Sequence, residues 1–178
     1  MNRLEELLKQ AGAASAAPVE RWDPPYCGDI GLAIAGDGRW LYQGSVIARP
    51  ALVKLFARVL RRDADGRYHL VTPAEKVDVA VADAPFLAVE MQVAGEGREQ
   101  ALVFRTNVDD VVTCGAEHPL RFVEGEPGAG LKPYLNVRGR LEALVTRALV
   151  YDLVDLAAAG DGGRLGVWSA GAFFPLPA

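Results

Sequence analysis

One pattern occurs twice in the chain, half a chain apart. Arg49, Leu52, Leu55 and Arg58 spell R-x2-L-x2-L-x2-R, and Arg138, Leu141, Leu144 and Arg147 repeat it 89 residues later in a chain of 178. Each copy follows a short apolar segment, Val46-Ile47-Ala48 or Leu135-Asn136-Val137, and reads as a helix entry. Each is followed by an Asp-Gly loop and an aromatic-bearing strand: Asp65-Gly66-Arg67-Tyr68, and Asp161-Gly162-Gly163 leading to Trp168. Two related strand–helix–strand motifs predict an α+β fold built on a mainly antiparallel sheet. They also predict a seam between the halves, a favourable place for a ligand or partner. The corresponding boundaries are 1–25 for an N-terminal helix and linker, 26–83 for the first motif and 84–178 for the second, packed closely on the first.

Local patterning supplies the elements. Leu4, Leu7, Leu8 and Ala11 share a helical face over residues 3–11, with Asn2 and Glu5 placed to cap it. An Ala-, Ser- and Pro-rich stretch from Gly12 to Pro25 reads as irregular linker. Ile30–Ala35 and Arg39–Gln43 flank Gly36-Asp37-Gly38 as a hairpin. Pro50 suits the first helical position, where its missing N–H costs nothing, with Leu52, Leu55, Phe56 and Val59 as the buried stripe. Tyr68–Thr72 reads as a strand. Thr72-Pro73-Ala74-Glu75 has capping-box form and predicts one helical turn.

Val77, Val79 and Val81, then Leu87, Val89, Met91 and Val93, alternate with smaller or polar residues as in half-buried antiparallel strands. Ala101–Arg105, Val108–Cys114, Leu120–Val123, Tyr134–Val137, Leu165–Ser169 and Ala172–Phe174 continue the strands. Residues 139–158 are apolar on most helical faces and predict a second, well-buried helix.

The net charge of −4 argues against a nucleic-acid binder, which needs a basic footprint. No apolar run approaches the length of a membrane span. Met1-Asn2-Arg3 runs into Glu5 and Glu6 with no apolar h-region. Cys27 and Cys114 match no metal spacing. These features predict a cytoplasmic protein with reduced thiols.

Several segments are similar to a known family. They are Cys27-Gly28-Asp29-Ile30, Arg49-Pro50-Ala51-Leu52-Val53, Val71-Thr72-Pro73-Ala74-Glu75-Lys76-Val77 and Asp83-Ala84-Pro85-Phe86. Thr106-Asn107-Val108, His118-Pro119-Leu120-Arg121 and Pro133-Tyr134-Leu135 continue them. Over residues 20–155 the chain resembles the bacterial domain-of-unknown-function family 1285. The resemblance implies an α+β fold with repeated motifs. It carries no established activity, and a role in signal transduction is the suggestion attached to such proteins.

The leading functional expectation is a non-catalytic module that senses a small anionic ligand or docks a protein partner at the seam. Arg49 and Arg138, each expected at a helix entry beside free backbone N–H groups, would hold the anion. Asp29 and Asn107 would orient them, and Tyr134, with Trp40 and Tyr42, would wall an apolar pocket. The structural alternative pairs each arginine with a carboxylate such as Asp29 or Asp109.

The competing expectation is a small-molecule enzyme using Cys27, with His69 and His118, or using Asp109. Asp109 and Asp110, on one strand, would point to opposite faces, so no metal site and no cofactor are predicted. Gly125–Gly130 leads into a strand and reads as a turn, not a phosphate cradle. Lys54, Arg58, Arg61 and Arg62 read as one solvated basic helix face.

Overall fold

The computed structural model describes residues 3, 6, 7 and 17–178. The chain divides into two compact units, Met1–Pro85 and Phe86–Ala178. Among the described residues no helix is long and apolar enough to cross a membrane.

In the N-terminal unit a six-stranded sheet packs with a helix. Its strands are β1 (Leu32–Ile34), β2 (Trp40–Tyr42), β3 (Ser45–Val46), β4 (Leu60–Arg62), β5 (Tyr68–Val71) and β6 (Lys76–Val81), and helix α1 spans Pro50–Arg58 between β3 and β4. The sheet order is β3-β2-β1-β6-β5-β4. The expected β1–β2 hairpin forms with Ile34 opposite Trp40, and Gly38 supplies the positive φ of 87° that its turn requires. Pro50 starts α1 as expected. The helix buries Phe56 and Ala57, and Trp40 stacks on Phe56 at 6.0 Å to fill the space beneath it.

Of the N-terminal helix expected over 3–11, Arg3, Glu6 and Leu7 are helical. The rest of it, and the linker through residue 16, lie outside the described residues. Arg3 donates to Glu75 at 2.7 Å. Val19–Arg21 form a single 3-10 turn, where Arg61 donates to the carbonyls of Val19 and Trp22 at 2.8 and 2.7 Å.

The C-terminal unit holds a second six-stranded sheet: β7 (Phe86–Ala94), β8 (Ala101–Thr106), β9 (Val111–Thr113), β10 (Leu120–Glu124), β11 (Leu131–Arg138) and β12 (Leu141–Val145). Helix α2 (Arg147–Asp155) follows, then a small sheet of β13 (Ala158–Ala159), β14 (Leu165–Ser169) and β15 (Ala172–Pro175). Phe86, Ala88, Leu102, Phe104, Leu135, Leu141 and Ala143 form the core of this unit, and α2 adds Leu153.

These observations overturn the α+β expectation: strands dominate both units, and neither is a strand–helix–strand motif. The repeated arginine–leucine pattern is helical only in its first copy. In the second copy Arg138 ends β11, Gly139 takes φ 53°, and Leu141–Val145 form β12. Leu141, Ala143 and Val145 are buried while Glu142 and Leu144 are half-buried, the period of two proper to a strand. The helical reading arose because Leu141, Leu144, Val145 and Ala148 also satisfy a helical stripe. The helix begins only at Arg147.

What repeats is the sheet topology. The order β3-β2-β1-β6-β5-β4 recurs as β9-β8-β7-β12-β11-β10. Each sheet joins two three-stranded meanders through its one parallel pair, β1 with β6 or β7 with β12.

Two smaller expectations also fail. Thr72–Glu75 is a turn between β5 and β6, not a helical turn. The hydroxyl of Thr72 accepts the N–H groups of Ala74 and Glu75 at 3.3 and 3.2 Å, so the capping chemistry closes a hairpin. In β7 the buried positions are Phe86 and Ala88, not Leu87 and Val89, and a register shift between Ala88 and Glu90 moves the alternation out of phase.

Candidate functional site

A concave feature of the C-terminal unit lies where β11, β12 and the start of α2 meet. It is a cavity of about 330 Å³, within the range of small-molecule sites. Leu131, Leu144, Val145, Val150 and Tyr151 form its apolar walls, and Ala129 and Gly130 close the loop side. Lys132 and Arg147 are the charged side chains among the described residues that line it, and none of those residues is acidic.

Local sequence explains this placement. Gly128 and Gly130 take φ of 87° and 76°, and Gly125 donates to the Gly130 carbonyl at 2.8 Å, so the Gly/Pro loop is a closed turn that delivers Leu131 and Lys132 into β11. Pairing of Tyr134 with Leu144 sets the sheet register here. Thr146 donates its N–H to Ala88 at 3.1 Å and turns the chain from β12 into α2.

The electrostatics are lopsided. Arg147 is the first residue of α2, where the helix dipole disfavours a cation, and the first turn contains no acidic residue. Thr146 gives no side-chain cap. Arg147 is exposed, and its guanidinium has no hydrogen bond or ion pair among the described residues. Lys132 lies 5.7 Å from the centre of the Tyr134 ring, and Arg121 covers the same ring at 4.3 Å. Arg121 is itself matched by a two-pronged pair with Glu142 at 2.7 and 2.8 Å.

The expected site residues fall as follows. Arg49 is the exposed residue preceding α1, and its side chain makes no hydrogen bond or ion pair among the described residues. Asp29 accepts the Gly31 N–H at 2.7 Å, a local turn contact, and lines a shallow cleft with Arg67, Tyr68 and Asp78. Arg49 and Asp29 share no hydrogen bond.

In the C-terminal unit, Arg138 donates to Asp110 at 2.8 Å and lies over the Phe86 ring at 5.3 Å. Its expected place at a helix entry is therefore corrected: it is a strand-end arginine matched by a carboxylate. Asn107 is a clamp. Its backbone N–H donates to Leu87 at 2.9 Å while its side-chain oxygen accepts the Leu87 N–H at 3.0 Å. Tyr134 is buried under Arg121 and Lys132, on the strand that borders the cavity.

The reactive groups of the enzyme reading are engaged elsewhere. The Cys27 thiol faces the Pro25 carbonyl at 3.4 Å, and the Asp109 carboxylate pairs with Arg105 at 2.8 Å. Among the described residues no group of three His, Cys, Asp or Glu side chains could hold a metal ion. The supposed basic helix face is also divided, because α1 stops at Arg58. Arg61 is a buried residue of β4 bonded to Asp63 at 2.7 Å.

A polar cluster at β4–β6 surrounds buried His69. Its Nε2 lies 3.1 Å from Asp78, and its Nδ1 lies 3.3 Å from Asp63 outside hydrogen-bonding geometry. Burial lowers the His69 pKa against the pull of the two carboxylates. Burial also opposes ionisation of Asp63, but Arg61 and Lys76 prevail and hold its carboxyl below the usual range. Arg67 and Tyr26 both bond Asp78, at 2.9 and 2.6 Å. The charges here are matched within the cluster.

Sequence reasoning missed Lys132, Arg147 and Tyr151 as one site. The available signal was Thr146-Arg147, a capping residue followed by a cation with no carboxylate in the first helical turn. The apolar periodicity hides it, because it extends a helical stripe back to Gly139, eight residues before α2 begins at Arg147.

Comparison with known proteins assigns the family. Residues 17–84 match "Domain of unknown function (DUF1285), N-terminal domain", and residues 85–176 match "Protein of unknown function (DUF1285), C-terminal domain". The crystal structure of a DUF1285 family protein from Silicibacter pomeroyi DSS-3 is 47% identical, with a TM-score of 0.88, covering 96% of this chain and 93% of that one. A DUF1285 family protein from Shewanella baltica OS155 is 28% identical, with a TM-score of 0.55, covering 70% of this chain and 91% of that one. No curated protein matches. With both domain families matched in order across most of its length, the chain belongs to the DUF1285 family.

Proposed function

We propose that the protein is a binding module for a small anionic ligand, held in the cavity at the start of α2 by Lys132 and Arg147. One observation carries this reading: the cavity lining holds two cations and no carboxylate, and Arg147 stands where its own helix disfavours it. A local rule broken without an internal compensation is a mark of function. An incoming anion supplies the negative charge that the first turn of α2 lacks beside Arg147, and its bonds to guanidinium and ammonium are charge-assisted. This places the ligand within the C-terminal unit and replaces the paired role of Arg49 and Arg138. Such binding fits a sensing role in signalling.

The test is a thermal-shift screen of carboxylates and phosphate esters on wild type, Arg147→Gln and Lys132→Gln. A ligand that binds only the folded state raises its apparent stability by mass action. The expected result is a shift in wild type that both variants lose while remaining folded. A screen with no shift, or one in which the variants shift as wild type does, overturns the reading.

A further inference from the structure

The cavity is more than a charge trap. Beyond its two cations the walls are aliphatic and aromatic, and the apolar surface continues outward along α2. Tyr151 and Val154, three residues apart on that helix, are 63% and 44% exposed. Residues at this spacing are neighbours on a helix surface, and Val150 stands one turn before Val154. A bare inorganic anion would leave this surface in water, whereas a ligand with a hydrocarbon or aromatic body would cover it.

We infer that the ligand is amphiphilic. A carboxylate or phosphate-ester head lies against Lys132 and Arg147, and an apolar body lies against Leu131, Leu144, Val150 and Tyr151 and runs out along α2. This inference rests on the anion-binding reading above and adds the chemical class of the ligand. Head and body contribute differently. The head sets orientation through charge-assisted bonds, and the body adds affinity with each methylene it buries.

The test titrates the whole 178-residue chain calorimetrically with acetate, butyrate, hexanoate and octanoate. Inorganic phosphate, octyl phosphate and neutral octanol are run beside them, all as monomers. The expected result is a gain of about fourfold in affinity per added methylene until the body extends past the walls, with octanol far weaker than octanoate. Octanoate or octyl phosphate as the better partner identifies the head. Arg147→Gln should weaken every anion by a similar factor, about tenfold or more. Val150→Asn should flatten the chain-length gain between acetate and octanoate.

Equal binding of acetate and octanoate would overturn the amphiphile and leave the anion site standing. Equal binding of octanol and octanoate, unmoved by Arg147→Gln, would overturn the anion site itself. Capture by phosphatidylglycerol vesicles without binding of any monomer would make the target a membrane surface and also overturn the proposal.

Discussion

The hydroxyl of Ser169 accepts the Leu102 N–H at 2.9 Å, joining β14 to β8 at a fully buried point. The same hydroxyl donates to the Cys114 carbonyl at 2.7 Å. One side chain from the small sheet thus satisfies a donor on β8 and an acceptor at the end of β9, on adjacent segments of the six-stranded sheet. Ser169→Ala would leave both without partners, and each orphaned buried group costs about 1–3 kcal/mol. Denaturant unfolding should show a lower midpoint at an unchanged slope. A loss within about 0.5 kcal/mol, the scale of an ordinary surface change, would mean that water takes over the role of the hydroxyl.

Gly160 is fixed by the ring of Phe173. A Cβ at residue 160 would lie 2.6 Å from the ring's Cζ, so Gly160→Ala must push the ring or the strand aside. Overpacking of this kind costs about 1–3 kcal/mol. Adding Phe173→Leu should recover part of the loss, and a thermal-melt double-mutant cycle measures the recovery. Strictly additive losses would place the damage elsewhere.

Stability should fall as pH drops below about 6.5, the ordinary histidine value. Burial lowers the pKa of His69 in the folded state, so the unfolded chain binds the proton more readily there. The contribution is complete above the unfolded pKa and is lost as pH falls through it toward the folded one. Asp63, also lowered, adds a second loss below about pH 4 by the same linkage. Unfolding free energies from pH 8 to pH 5 should show the first slope in wild type and a shallower one in His69→Asn. Equal slopes would assign the proton uptake to another group.

The two thiols should differ sharply toward a disulfide reagent. Burial pushes the Cys114 thiol up to about 12 and seals it from solvent, while Cys27 is exposed. At pH 8 one thiol should react in the native protein and two in denaturant, and native Cys27→Ser should react hardly at all. Fast reaction of both native thiols would show that β9 and β14 part readily.

Much of the fold was legible where chemistry is local. The Gly36-Asp37-Gly38 turn and Pro50 at a helix start each involve a residue whose backbone preference admits few alternatives, and both formed as expected. The failures came where one pattern serves two structures. Leu141, Leu144 and Val145 satisfy a helix, but parallel pairing of Val145 with Ala88 on β7 holds them as a strand. Thr72 caps a turn with the same bonds it would give a helix. Neither outcome is visible without the neighbouring strand. The candidate site suffered for the same reason: Arg147 lines a cavity because β12 ends beside it, so misplacing that strand scattered its residues.

The first strand of each sheet finds its central partner only in the last: Leu32 waits for Val79, and Phe86 for Ala143. During synthesis each opening meander therefore emerges with its inner edge unpaired until the last strand of its sheet is made. Pairings so distant in sequence slow folding, and an open strand edge invites association with other chains. Each half of the protein should thus behave as an indivisible folding unit. Truncation within β6 or β12 would remove the closing strand from the middle of a sheet, not trim its rim.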